Sequence, residues 1–293
     1  MIRASIAILS TILICFFLRF DPAFGGQESP DPKAHGLETS GSEASGSEAT
    51  ASEWTPLFNG KDLAGWIPKI SGQPLGADPW KTVRVEDGLL RIGYESYEGP
   101  FANRFLHLFH ERPYDRYRLR VVYRFHGEQC PDGPGWAWRN SGVMLHCQDP
   151  KTMTLEQHFP VSIEGQFLGG DGTNPRPTGN LCTPGTNVVI KGGLELAHCI
   201  NSKSTTCHGD GWVTAEFEVD GAGEVRHFID GKLVLAYEQP QLDPRDSDAR
   251  SLIKDGPLLI DRGWIALQGE SHPVDFKEVS IRLLPERGAV DSE

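Results

Sequence analysis

Apolar and polar residues alternate along much of the chain in short runs that stop at turns. Tyr117, Leu119, Val121, Tyr123 and Phe125 fall on one side of such a run, and Arg118, Arg120, Val122 and Arg124 on the other. Val213, Ala215, Phe217 and Val219 repeat the pattern over 212–220. Two is the side-chain period of a β-strand, so each run predicts a strand with one buried and one solvated face. Val225 to Ile229 and Lys232 to Tyr237 flank Asp230-Gly231. That pair suits a type I′ hairpin turn, whose two central residues need positive φ. Runs over 263–269 and 274–284 follow, and a shift of alternation between Phe276 and Val279 predicts a bulge. No segment sustains the 3.6-residue period of a helix. Many short strands separated by Gly and Pro predict an all-β fold, a two-sheet antiparallel jelly-roll sandwich of the concanavalin and glucanase kind. Long loops are expected at 126–139, 169–187 and 240–262; loops of that length in a compact domain are commonly functional.

One run has a particular chemistry. Over 161–169, Val161, Ile163 and Phe167 alternate with Ser162, Glu164 and Gln166. A carboxylate and an amide two residues apart on one face of a sheet can hold a polyhydroxylated ligand, or can be ordinary solvated residues.

The ends of the chain read differently. Met1 to Arg3 is a short cationic start, Ile6 to Leu18 an apolar run, and Ala23-Phe-Gly25 supplies the small residues of a cleavage site. The apolar run is shorter than the roughly 20 residues needed to span a bilayer. Residues 1–25 are therefore expected to be a secretory signal, and the protein periplasmic or secreted. Residues 26–53, rich in Ser, Gly and Glu, are expected to be a disordered acidic linker. Residues 54–286 form the folded domain and 287–293 a tail; no later segment reads as a membrane span. The net charge of −12 argues against nucleic acid or anionic lipid as partner. It leaves a neutral partner such as a sugar unaffected. Loss of the leader removes one of six cysteines. The remaining five suggest disulfides in an oxidising compartment with at least one thiol left over, and Cys182–Cys199, bracketing a hairpin, is the preferred bridge.

Several phrases resemble one family. Leu57-Phe-Asn-Gly-Lys-Asp-Leu-Ala-Gly-Trp66, Val85-Glu-Asp-Gly-Leu-Leu90, Asn140-Ser-Gly-Val-Met-Leu145, Ile163-Glu-Gly-Gln166, Phe228-Ile-Asp-Gly231 and Ile265-Ala-Leu-Gln268 with Val274-Asp-Phe276 follow the order found in the 3-keto-disaccharide hydrolase domain family. The resemblance covers roughly 54–284 and implies a concanavalin-like jelly roll, export and action on sugar derivatives. The chain departs from the family pattern at His146, where many relatives carry Arg, and in an enlarged segment from Thr178 to Trp212. A second resemblance is incomplete. Laminarinase-type glycosidases carry Glu-x-Asp-x-Glu before Phe-Leu-Gly, whereas this strand reads Ser162, Glu164, Gln166 before Phe167-Leu-Gly169. Retaining hydrolysis needs two carboxyls, and this strand keeps one.

A glycoside already oxidised at C3 opens another route. The ketone acidifies the C2 proton, a single base removes it, the C1 substituent leaves, and water adds back. The alternative is a non-catalytic carbohydrate-binding module of the same fold; an adhesion domain is a third reading. The candidate catalytic residues are Glu164, with His146, His198 and His272 for proton transfer. The candidate sugar contacts are Asn140, Gln166, Gln268 and Glu270, with Trp136 and Trp138 as stacking platforms or loop anchors. No cofactor is certain. A divalent cation is considered at His198, His208 and Asp210, and calcium at Asp171-Gly-Thr-Asn174, against plain loop readings of both.

Overall fold

The computed structural model describes residues 53–254 and 256–285. The proposed leader, the linker apart from Glu53, and the tail lie outside the described residues. Its strands, in chain order, are β1 (Thr55–Pro56), β2 (Trp66–Ile70), β3 (Val83–Glu86), β4 (Leu89–Ile92), β5 (Leu106–His110), β6 (Arg116–Phe125), β7 (Asn140–Cys147), β8 (Ile163–Leu168) and β9 (Asn180–Cys182). There follow β10 (Thr186–Ile190), β11 (Gly193–Glu195), β12 (Cys199–Ile200), β13 (Val213–Asp220), β14 (Glu224–Ile229), β15 (Lys232–Leu242), β16 (Trp264–Gly269) and β17 (Val274–Leu283). The strands form two sheets. One has ten strands in the order β11-β10-β15-β14-β13-β6-β17-β4-β3, with β1 added to β17. The other has seven, in the order β12-β9-β8-β7-β16-β5-β2. All strand pairs are antiparallel, as a jelly-roll sandwich requires.

Alternation does what the sequence predicts. Tyr117, Leu119, Val121, Tyr123 and Phe125 of β6 are buried between the sheets. Arg118 and Arg120 on the other face pair with Glu216, and Arg124 with Asp275. Tyr123 stacks on Phe167 of the opposite sheet at 4.0 Å, joining the two layers. Asp230 and Gly231 take φ of 47° and 77°, as the hairpin turn demands. The register of β17 shifts between Phe276 and Glu278, where the bulge is expected.

The segment 240–262 differs from its expectation as a loop. β15 runs on to Leu242, and α1 (Ser247–Leu252) is capped by the Asp246 side chain, which accepts from the amides of Asp248 and Ala249. β5, whose five residues are all buried, shows no alternation and gives no strand signal. Among the described residues no helix is long and apolar enough to cross a membrane.

Candidate active site

The outer face of the seven-stranded sheet carries the site. Ile163, Gly165 and Phe167 of β8 face the core, which turns Glu164 and Gln166 outward. Gly165 is required between them, because a Cβ there would lie 2.2 Å from the ring of Phe217. Glu164 stands opposite Met144 on one side and Cys182 on the other, and Gln166 opposite Gly142 and Asn180. The Glu164 side chain lies over Gly142, where an added Cβ would meet its Oε1 at 2.8 Å. The Asn-Ser-Gly phrase thus keeps the sheet bare beside the carboxyl group.

Glu270 reaches the same place from the end of β16. It opens a turn in which Ser271 has a φ of 96°, a strained value for a residue with a side chain. The Ser271 amide donates to the buried Tyr94 hydroxyl at 2.9 Å, and Gln129 Nε2 donates to Ser271 Oγ at 2.9 Å. These bonds hold the turn that aims Glu270.

Loops close the rest. A cavity of about 430 Å³ is lined at its floor by Asn140, Glu164, Gln166 and Glu270. Trp136, Phe159, Arg176, His198 and the Cys182–Cys199 disulfide line its walls. Arg176 is fixed by backbone carbonyls: Nη1 donates to Gly169 O at 2.7 Å and Arg139 O at 3.1 Å, and Nη2 to Trp136 O at 3.4 Å. The main chain of His198 is anchored through its carbonyl, which accepts from the amide and hydroxyl of Thr183. Trp136 is 54% exposed and stacks on Phe105 at 5.8 Å. Two neighbouring hollows adjoin the cavity. One of about 550 Å³ shares Phe159, Pro184 and His198 with it, and one of about 440 Å³ shares Trp136 and Arg176.

The electrostatics are unusual for carboxyl groups. Glu164 and Glu270 are 6% and 3% exposed, and Glu164 Oε1 and Glu270 Oε2 make no hydrogen bond within the chain. Burial pushes Glu164 up to about 8. Burial and the neighbouring charge of Glu164 push Glu270 well above the usual carboxylate range, with Arg176 opposing. The carboxyl pair missing from β8 is therefore completed from β16. Two groups that each resist ionisation beside the other can hold a proton for donation and, once one is lost, a base for abstraction.

The structure brings together Glu164, Gln166, Asn140, Glu270, Trp136 and His198 of the sequence candidates. It does not bring in the others. His146 stands apart from the cavity: the β7–β16 register shifts between Trp264 and Ala266, and His146 takes a φ of 51°. Its Nε2 donates to Gly221 O, in the turn between β13 and β14, at 3.0 Å, so it serves the packing of the sandwich end. His272 is buried between Phe125 and Trp138. Trp138 belongs to the adjoining 440 Å³ hollow. Gln268 is fully buried and does not line the cavity. Arg176 and Phe159 escaped the sequence reading; the only local signal was a cation between two prolines, Pro175-Arg-Pro177.

The bridge Cys182–Cys199 forms as expected, linking β9 to β12 around the β10–β11 hairpin, and leaves Cys130, Cys147 and Cys207 as free thiols. The residues considered for a cation do not form a ligand set. His208 Nδ1 accepts from the Gly172 amide, Asp210 pairs with Arg139, and Asp171 caps its own loop through the amides of Thr173 and Asn174. Among the described residues no three His, Cys, Asp or Glu side chains converge.

Comparison with curated proteins finds no match. Among solved structures, a provisionally named glycosyl hydrolase of Parabacteroides distasonis is 19% identical, with a TM-score of 0.47 over 79% of this chain and 100% of its own. A second from the same organism is 20% identical, with a TM-score of 0.46 over 79% and 94%. The laminarinase of Rhodothermus marinus is 13% identical, with a TM-score of 0.45 over 80% and 98%. The family model of the 3-keto-alpha-glucoside-1,2-lyase-like domain matches residues 53–282, and the chain belongs to that family of carbohydrate-active, glycoside-cleaving enzymes.

Proposed function

We propose that the chain cleaves 3-keto-glycosides by elimination and hydration in the cavity between Glu164 and Glu270. The observation that carries this reading is the pair of buried, mutually repelling carboxyl groups on one cavity floor. Glu164, once ionised, takes the C2 proton. The electrons of the C2–H bond pass toward the C3 ketone as an enolate, and Arg176 offers the fixed positive charge to stabilise it. Collapse of the enolate restores the ketone, forms the C1–C2 double bond and breaks the bond from C1 to the leaving oxygen. Glu270, kept protonated, supplies that oxygen with its proton. Water then adds across the double bond, hydroxyl to C1 and hydrogen to C2, so the net change is hydrolysis. Asn140 and Gln166 offer amides to the sugar hydroxyls, and Trp136 offers an exposed ring face to a pyranose. Such a site acts on sugars outside the cytoplasm, a reading the Cys182–Cys199 bridge supports.

The test compares a 3-keto-glucoside with the unoxidised glucoside. Aglycone release from the first alone is the expected result. Release from both would make this an ordinary glycosidase. Binding without release, unchanged in Glu164→Gln, would make it a carbohydrate-binding module.

A further inference from the structure

The Glu164 cavity belongs to a row of open hollows that share walls. On one side it shares Trp136 and Arg176 with the 440 Å³ hollow. On the other it shares Phe159, Pro184 and His198 with the 550 Å³ hollow. That hollow in turn shares Val161 with another of about 790 Å³, which is lined by His146 of β7 and Trp264 of β16. The two hollows beyond Phe159 have common walls. α1 runs along both, with Asp248 in the first and Ser251 and Leu252 in the second. The chain leaving β15 does the same through Asp243 and Leu242. The segment after β7 also lines both, through Thr154 and Thr152. Asn140 lines the catalytic cavity and His146 the far hollow, so the row spans about 20 Å along β7 at roughly 3.3 Å per residue.

The lining suits hydroxyl groups. The carboxylates of Glu156, Asp248 and Asp261 pair with no cation among the described residues, which leaves their oxygens free to accept. His146, in the far hollow, is 2% exposed; with Nε2 donating to Gly221 O, its Nδ1 is an acceptor without a partner. Trp264 in the far hollow, Phe159 between the middle two and Trp136 beyond them offer rings at intervals along the row. The charge then selects among ligands. Glu156, Asp243, Asp246 and Asp248 line the 550 Å³ hollow with Arg245 as the one permanent cation, already paired with Asp243. An anionic chain would be repelled there, whereas a neutral one meets acceptors.

We propose that this row is a groove for a neutral glycan chain of several units, which passes through the Glu164 cavity and is cut at an internal unit oxidised at C3. The inference rests on the glycoside reading and moves the substrate class from a small glycoside to an oligosaccharide or polysaccharide. Because the oxidised unit carries a ketone at C3, the chain continues from it through another position.

The test is calorimetric titration with unoxidised gluco-oligosaccharides of two and six units, in α-1,4, α-1,6, β-1,3 and β-1,4 linkage. In at least one linkage the six-unit chain should bind the wild type about tenfold more tightly than the two-unit chain. Ser251 and Thr154 are exposed positions on separate walls. Ser251→Trp and Thr154→Trp should each abolish that gain at an unchanged melting temperature; if one fails to fold, the other carries the comparison. Equal binding of both lengths in every linkage, no binding at all, or a gain that survives in the folded variants would overturn the groove. Hexagalacturonate binding as tightly as the neutral six-unit chain would overturn its selection by charge. Wild-type protein that cleaves no 3-keto-glucoside would refute the glycoside chemistry instead, and the titrations, which need no cleavage, still decide the groove.

Discussion

Two glycines that a sequence reader would treat alike have separate jobs. At Gly142 an added methyl group meets the flexible end of Glu164, at 2.8 Å from Oε1. The carboxyl group can move aside and the Gly165 carbonyl oxygen, 3.2 Å away, need give only slightly, so Gly142→Ala should lose less stability than Gly165→Ala and about 10²-fold in kcat through misplacement of the base. At Gly165 the methyl group meets the rigid Phe217 ring at 2.2 Å. Gly165→Ala should therefore cost about 1–3 kcal/mol of stability, read by denaturant unfolding. Equal stability losses in both variants would contradict the assignment of Gly142 to the site. The carboxyl pair makes its own prediction. Because Glu164 must ionise to act and burial pushes it up to about 8, the rising limb of the pH–rate profile should lie near there rather than in the ordinary carboxylate range. Glu270→Gln should remove the alkaline falling limb and leave the rising one, since the falling limb reports loss of the donor proton.

At the scale of elements, β12 and its approach form a wall held by one covalent tie. Cys182 sits opposite Glu164 on β9, and Cys199 carries β12 and the adjacent His198 against it. Cys199→Ser should lower stability by about 3 kcal/mol in denaturant titration and raise KM while sparing kcat, because Glu164 stays on β8. Loss of kcat with KM unchanged would contradict this division of labour. The same elements show what the sequence could disclose. β6, β13 and the β14–β15 hairpin were legible because each has one dry and one wet face, and the period of two survives in the residues. β5 was not, because loops cover its outer face and all five residues are apolar or buried. His146 was misplaced for a related reason: a bulge breaks the alternation, and nothing in Met144-Leu-His146 announces it. Glu164, Gln166 and Asn140 were legible as polar positions in apolar strands. Arg176 and Phe159 come from loops, where no periodicity exists to read.

For the whole molecule, the buried titratable groups set a pH window. His107 is pushed down to about 3, and His146, His227 and His272 to about 4, all chiefly by burial. A lowered pKa gives stability that is complete above the unfolded value near 6.5 and is lost as pH falls below it. Glu164 and Glu270 are raised, so their contribution is complete below about 4.5 and is lost as pH rises toward 8 and beyond. Between about pH 4.5 and 6.5 the four histidines outweigh the two carboxyls. The melting temperature should therefore climb from pH 4.5 to a maximum between about 6 and 7 and decline toward pH 9, and Glu164→Gln should flatten the alkaline decline. A maximum near pH 9 would show that the carboxyl pair is solvated. The central claim concerns one bond, the C2–H bond of the sugar. A 3-keto-glucoside carrying deuterium at C2 should yield free sugar whose deuterium has passed to the solvent, faster than in unreacted substrate, with neither cleavage nor label loss in Glu164→Gln. Release of a sugar that keeps its C2 deuterium would contradict elimination and with it the role given to Glu164.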